Sequence, residues 1–213
     1  VARAGAGVNN IPISDYTAKG IVVFNTPGAN ANAVKELIVA GLLLGSRDIY
    51  GGMIYVQELG YMDDAGEMGK LLEKEKKRFA GTELVGRTLG VVGLGAIGSI
   101  IANSALDLGM NVIGYDPAIS VEAAWQLSSR VKRMDSLEQL LAAADYVTLH
   151  VPAIPETKHL INSKSLGLMK KTAKILNFAR EEIVSADDML AALNAGALAG
   201  YISDFPAPNL LGR

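Results

Sequence analysis

The chain contains no cysteine. Disulfide bridges, thiolate metal sites and cysteine nucleophiles are therefore excluded. It also lacks an excess of either charge: 20 basic side chains stand against 22 acidic ones, for a formal net charge of −2. A balance so near zero gives no reason to expect nucleic acid or an acidic membrane surface as a partner. No uninterrupted apolar run is long enough to span a bilayer, and the first residues do not read as a signal peptide. Internal repeats and low-complexity tracts are missing too. A cytoplasmic enzyme is the expectation. The chain opens on Val1 rather than Met, inside an apolar strand-like run, and Arg213 falls in what reads as a loop. A piece of something longer is expected.

What the chain does have is hydrophobic residues, half of its 213, and 23 glycines. That composition suits an α/β protein with a buried parallel sheet. The length allows one large domain, or one domain plus part of another.

The most informative stretch runs from Leu89 to Gly98. It reads as a short apolar strand, a glycine turn and the start of a helix. The spacing Gly93-x-Gly95-x-x-Gly98 is that of a dinucleotide-binding turn. Gly93 allows the tight turn out of the strand. Gly95 lets backbone approach a pyrophosphate that a Cβ would strike, and Gly98 lets helix and strand pack closely. The helix N-terminus offers unpaired N–H groups and a partial positive charge to the phosphates. A second apolar strand, Asn111 to Tyr115, ends in Asp116, eighteen residues past Gly98 and close to where an acid holding ribose hydroxyls belongs. Asp116 would repel a 2′-phosphate, and Pro117-Ala118 brings no arginine to receive one. NAD is therefore expected over NADP.

Residues 1–33 carry two short β signals, Val1-Ala2 and Ile21 to Phe24. Helical periodicity starts near Ala31 and continues to about Ile49. From Gln57 to Phe79 the chain is polar, and the interleaved Glu, Lys and Arg residues after Leu71 read as a solvated helix face rather than an anion patch. From Arg87 onward strand and helix alternate. Strands are predicted at 89–92, 111–115, 131–133, 146–149, 174–177 and 199–203. Helices are predicted at 96–109, 121–128, 136–143, 163–168 and 185–195. Six strands with crossover helices make a doubly wound parallel sheet, whose ligands sit beyond the carboxyl ends of the strands.

His150-Val151-Pro152 closes the fourth strand, and the proline sets the direction of a loop over the cofactor. His150 is either a general base or a strand-end histidine whose ring is satisfied locally; the local reading is preferred. His159 is expected at the surface. Asn177-Phe178-Ala179-Arg180 closes the fifth strand. The Arg180 guanidinium either grips a substrate carboxylate and polarises the adjacent carbonyl, or forms an ion pair with Glu181 or Glu182. Asp204, after the sixth strand, either accepts from a nicotinamide carboxamide or caps a loop.

Taken together, these segments resemble the D-isomer-specific 2-hydroxyacid dehydrogenases, and within them the D-3-phosphoglycerate dehydrogenases most closely. The likeness covers essentially the whole chain. It also rests on Arg3 to Ile11, on Val23 to Asn30 and on Gly81 to Gly90. It implies a Rossmann-type NAD domain at 34–213, with 1–33 the C-terminal part of a second, flavodoxin-like substrate domain. By resemblance, Arg180 is the catalytic and substrate-orienting arginine, and Arg3 approaches a substrate phosphate. Gly28, Ala29 and Asn30 form the loop whose backbone receives the substrate carboxylate. NAD would be held by Gly93, Gly95, Ala96, Ile97 and Gly98, by Asp116 and Asp204, and by Val151, Pro152, Phe178, Ala179 and Arg180. No metal is implied. A homodimer or higher homo-oligomer is, with the apolar helix from Ala31 to Leu44 as the contact.

The chain departs from the family pattern in four respects. The family's acid–base histidine would lie beyond Arg213, and its glutamate partner falls at Asn209. The glycines usual after the arginine are Glu181 and Glu182. The first strands of the substrate domain, and any regulatory domains, would lie outside these residues. The activity implied is hydride transfer between NAD and a D-2-hydroxy acid, 3-phosphoglycerate to 3-phosphohydroxypyruvate leading, as in serine biosynthesis. The alternatives are a glyoxylate/hydroxypyruvate reductase and a non-catalytic NAD-binding regulatory protein.

Overall fold

A computed structural model describes residues 1–5, 7–8, 10–205 and 207–210. Ala6 and Asn9 of the motif near the start, and the loop expected at Arg213, lie outside the described residues.

Six strands form one parallel sheet: β1 (Thr88–Val92), β2 (Asn111–Tyr115), β3 (Lys132–Arg133), β4 (Tyr146–Leu149), β5 (Lys174–Asn177) and β6 (Gly200–Ser203). Their spatial order is β3-β2-β1-β4-β5-β6, and every pairing is parallel. The order reverses direction at β1 and β4, which leaves a crevice at their carboxyl ends.

The helices are α1 (Ile13–Ala18), α2 (Ala31–Ser46), α3 (Ile49–Glu58), α4 (Ala65–Glu75), α5 (Ala96–Asp107), α6 (Val121–Gln126), α7 (Leu137–Ala143), α8 (Ser163–Leu166) and α9 (Ala186–Asn194). Those that cover the sheet divide between its two faces. On one face Leu89, Val91, Val112, Tyr146 and Leu176 pack against Ile38 and Leu42 of α2 and Ile101 and Ala105 of α5. On the other, Val92, Val147, Leu149 and Ile175 meet Leu140 and Leu141 of α7 and Met189 of α9. The split follows the period-2 alternation of strand side chains. Because both faces are covered, the central strands β1, β2, β4 and β5 read as largely apolar runs. A Leu or Ile buried this completely contributes about 1.5–3 kcal/mol. Gly90 is required for the second layer, since a Cβ there would lie 2.5 Å from Leu140 Cδ2.

Several boundaries differ from the sequence reading. The helix expected to run from Ala31 to Ile49 is two. α2 ends at Ser46, Arg47 is extended, and Asp48 caps α3 by accepting from the Gly51 N–H; the two axes bend by 65°. Neither α1 nor α3 was anticipated. The two β signals near the start make only an isolated parallel bridge, Ala2 to Phe24, because no longer ladder is present to extend it. α5 stops at Asp107, and Gly109 turns the chain at φ +78°. α6 and α8 are shorter than predicted and β3 has only two residues. The charged stretch after Leu71 forms a solvated face: Lys76 pairs with Glu73 at 2.5 Å and Arg78 with Glu75 at 3.0 Å. Among the described residues no single helix is long and apolar enough to cross a membrane.

Candidate functional site

β1 delivers the chain into the glycine turn at the reversal point of the sheet. Gly93 has φ +90°, and a Cβ on it would sit 2.7 Å from the His150 carbonyl oxygen. A Cβ on Gly98 would lie 1.9 Å from the Gly93 carbonyl oxygen. These two glycines therefore serve the packing of strand, turn and helix. Gly95 is different: nothing lies within 4 Å of where its Cβ would be. That space stands at the N-terminus of α5, whose first N–H groups, including those of Ala96 and Ile97, have no intrahelical carbonyl to meet.

Asp116 stands beside this turn. Its Oδ2 accepts from the Leu94 N–H at 2.8 Å and its Oδ1 from the Ala118 N–H at 2.9 Å. The carboxylate thus ties the end of β2 to the turn while retaining lone pairs for hydroxyl donors. The open cradle at Gly95, the free helix N-terminus and this carboxylate fit a dinucleotide. Binding of NADH at least tenfold tighter than NADPH, as a rough estimate, is expected. Asp116→Ala should narrow that ratio; fluorescence titration of both cofactors measures it, and equal or tighter NADPH binding by the unaltered chain would exclude the assignment.

A cavity of about 210 Å³ opens next to α5 at the carboxyl ends of β4 and β5. Seven of the anticipated residues line it: Asn30, Ile97, Val151, Pro152, Phe178, Ala179 and Arg180. Gly7, Val34 and His150 complete it. The loop before α2 reaches the site because Gly28, at φ +81°, leans on α5; its Cβ would lie 3.6 Å from Ala96 Cβ. Ala29 belongs to the same turn and donates its N–H to the Thr26 carbonyl. Arg3 does not line the cavity, but its Nε donates to the Gly7 carbonyl at 3.1 Å. Asp204 is exposed at the carboxyl end of β6 and is not among the cavity residues.

Arg180 enters through a turn fixed by Asn177. The Asn177 side chain is fully buried. Its Nδ2 donates to the Arg180 carbonyl at 2.8 Å and to the Tyr201 hydroxyl at 3.3 Å, and its Oδ1 accepts from the Ala179 N–H at 3.2 Å. The Arg180 Nη1 donates to the Ala179 carbonyl at 2.6 Å. Among the described residues Arg180 forms no ion pair, so neither Glu181 nor Glu182 holds it. Asn177 and Tyr201 went unrecognised as the scaffold of this turn. The available signal was a polar residue closing an otherwise apolar strand.

His150 hydrogen-bonds through Nε2 to Thr148 Oγ1 at 2.9 Å. Burial pushes its pKa down to about 4, so the ring is neutral near pH 7. A base that weak is ill suited to taking a hydroxyl proton. His159 is exposed, with φ +50°. Asn209 donates to Asp187 Oδ1 at 3.2 Å and so fastens the chain after β6 to α9.

Residues 53–211 match the family model described as D-isomer specific 2-hydroxyacid dehydrogenase, NAD binding domain. The chain is 39% identical to the D-3-phosphoglycerate dehydrogenase of Methanocaldococcus jannaschii over 198 residues, 93% of this chain and 35% of that protein. It is 38% identical to the enzyme of that name from Synechocystis sp. over 213 residues, 100% of this chain and 36% of that one. It thus spans about a third of the length of these curated relatives. Among solved structures, the Aquifex aeolicus D-lactate dehydrogenase complexed with NAD and lactic acid superposes with a TM-score of 0.78 at 28% identity, covering 97% of this chain and 57% of that one. On the family model, these relatives and the fit of its residues to NAD, the chain belongs to the D-isomer specific 2-hydroxyacid dehydrogenases and carries their NAD-binding domain.

Proposed function

We propose that this chain is the cofactor-binding part of a cytoplasmic enzyme that moves a hydride between NAD and a D-2-hydroxy acid. The leading substrate pair is 3-phosphoglycerate and 3-phosphohydroxypyruvate, as in serine biosynthesis. The observation that carries the reading is Arg180, an arginine without an ion pair among the described residues, lining a cavity beside the glycine turn. In this reading residues 1–33 are the end of a substrate-binding domain and 34–213 the NAD domain, with α2 running across the division.

NAD, when bound, accepts the hydride released from substrate C2. Gly93 to Gly98 and Asp116 hold its phosphates and ribose, while Asp204 serves its nicotinamide side. The Arg180 fork grips the substrate carboxylate and steadies charge on the oxygen at C2. The loop of Gly28, Ala29 and Asn30 turns toward the same carboxylate, with the Gly28 and Asn30 N–H groups as its donors and the Ala29 N–H engaged by the Thr26 carbonyl. Arg3 stands near a substrate phosphate, and the relatives named D-3-phosphoglycerate dehydrogenase support that choice. Neither His150, neutral and bonded to Thr148, nor the exposed His159 moves the hydroxyl proton; a histidine outside these residues does. A homodimer through α2 is part of the proposal, since Leu37, Leu43 and Leu44 of α2 are exposed.

The deciding experiment compares residues 1–213 with the full-length protein. Both should bind NADH, and only the full-length protein should oxidise 3-phosphoglycerate. Faster turnover of glyoxylate or hydroxypyruvate would redirect the substrate assignment. NADH binding with no turnover by the full-length protein would favour a regulatory role, in line with Asn209 at the glutamate position. Full turnover by residues 1–213 would mean the proton-transfer group lies within them.

A further inference from the structure

The opposite end of the sheet carries a second cavity, of about 310 Å³, at the amino ends of the strands. Arg87 reaches it from just before β1, Lys174 from the start of β5, and Lys171 from the turn leading into β5. Thr82 and Thr172 bring two hydroxyls. Asp145 is the one carboxylate on the wall, and it is already engaged. Its Oδ2 accepts from the Thr88 N–H at 2.9 Å and its Oδ1 from Lys170 Nζ at 2.8 Å. Lys170 also donates to the Ala143 carbonyl at 2.7 Å, so it is pinned against the fold. Burial alone would raise the Asp145 pKa, but the Lys170 and Thr88 hydrogen bonds and the nearby positive charges of Lys170 and Arg87 bring it below the usual value.

Once Asp145 is matched by Lys170, three cations face one concavity with no carboxylate of their own. The side chains of Arg87 and Lys171 make no hydrogen bond or ion pair within 4 Å among the described residues. Lys174 is half-buried and lies over the ring of the buried Tyr146, 5.6 Å from its centroid. Like charges held around a shared space repel, and an anion placed between them adds an attraction to each that offsets that repulsion. A planar guanidinium, two ammonium groups and two hydroxyls are the donor set that suits the tetrahedral oxygens of a phosphate. The cations surround a pocket rather than forming a stripe, which fits a small ion better than a nucleic-acid backbone.

We infer that this amino-end basin, formed by Arg87, Lys171 and Lys174, is a binding site for a small polyanion, namely orthophosphate or a phosphate ester. It is separate from the dinucleotide site, which lies across the length of β4 and β5, on the order of 13 Å of strand. The test is titration of orthophosphate into residues 1–213 at an ionic strength held constant with sodium chloride. Backbone amide shifts report the binding, first without NADH and then with NADH saturating.

Saturable shifts at Thr82, Thr172 and Lys174 are expected, the same with and without NADH. The double variant Arg87→Gln, Lys171→Gln should bind phosphate roughly tenfold more weakly or worse. Its melting temperature in chloride should not change, because both side chains are exposed. Shifts confined to residues 96–98 and abolished by NADH would place the ion at the helix N-terminus and overturn the inference. Wild-type affinity in the double variant would overturn it as well. Should NADH itself fail to bind, the dinucleotide assignment falls, and the double variant still decides the basin.

Discussion

Replacing Arg180 with lysine lowers kcat/KM of the full-length protein by about 10²–10³-fold, the usual cost of losing one donor aimed at developing charge. The charge is kept and the fork is lost: an ammonium cannot give two parallel N–H bonds to a carboxylate. Under the proposed mechanism the loss should fall on kcat as well as KM, because there the same donors would steady the oxygen at C2 in the transition state. The melting temperature should barely move, since the Arg180 side chain forms no ion pair among the described residues and bonds to the neighbouring Ala179 carbonyl alone, while the Asn177 bond to the Arg180 carbonyl does not depend on the side chain. Steady-state kinetics and thermal unfolding on the same preparations check both halves. A clear loss of stability with near-normal turnover would assign Arg180 to the fold.

The second large effect is a contrast between two glycines three residues apart. Gly98→Ala brings a Cβ to 1.9 Å from a backbone carbonyl oxygen, so strand and helix must separate. Denaturant unfolding should show a loss of about 2–3 kcal/mol, in the range of an overpacked core, and NADH affinity falls with the geometry of the turn. Gly95→Ala meets no protein atom within 4 Å. Its stability should stay within about 0.5 kcal/mol of the parent. Its NADH affinity should fall by roughly tenfold or more, because the new methyl stands where the pyrophosphate comes close. A Gly95→Ala chain that binds NADH normally would show that the cradle holds something else.

The sheet was readable in the sequence because β1, β2, β4 and β5 are largely apolar runs bounded by turn residues, and Gly93 to Gly98 encode the geometry of the turn locally. Asp116 was readable for the same reason: one helix and one short strand set its distance from the turn. The break between α2 and α3 was not. It depends on an extended Arg47 and on Asp48 reaching the Gly51 N–H, and the only local signal is the short run Gly45-Ser46-Arg47-Asp48 between two apolar stretches. The β signals near Val1 and Phe24 registered hydrophobicity but not the number of partners available, and a single bridge resulted. Cavity membership was legible only in part. Gly7 and Val34 arrive there through the path of the chain before and within α2, and that Asp204, just past β6, is not among the lining residues could not be read from its place after a strand. Thr148 as the partner of His150 follows once both are placed two apart on one strand edge.

The closed arithmetic of hydrogen bonds around Asn177 limits how this protein can diverge. Both of its polar atoms are engaged, and it is out of reach of water. Replacement by an apolar residue leaves the Ala179 N–H and the Arg180 carbonyl without this partner, and a buried group left unsatisfied costs about 1–3 kcal/mol. Drift at this position therefore has to be accompanied by change in the turn it holds or in Tyr201 across the sheet. The exposed Ala29, Asn30, Glu181 and Glu182 carry no such restraint and can change without opening the interior. The architecture separates what a lineage may alter from what it must inherit whole: exposed positions near the turn can vary while the arginine's footing stays the same.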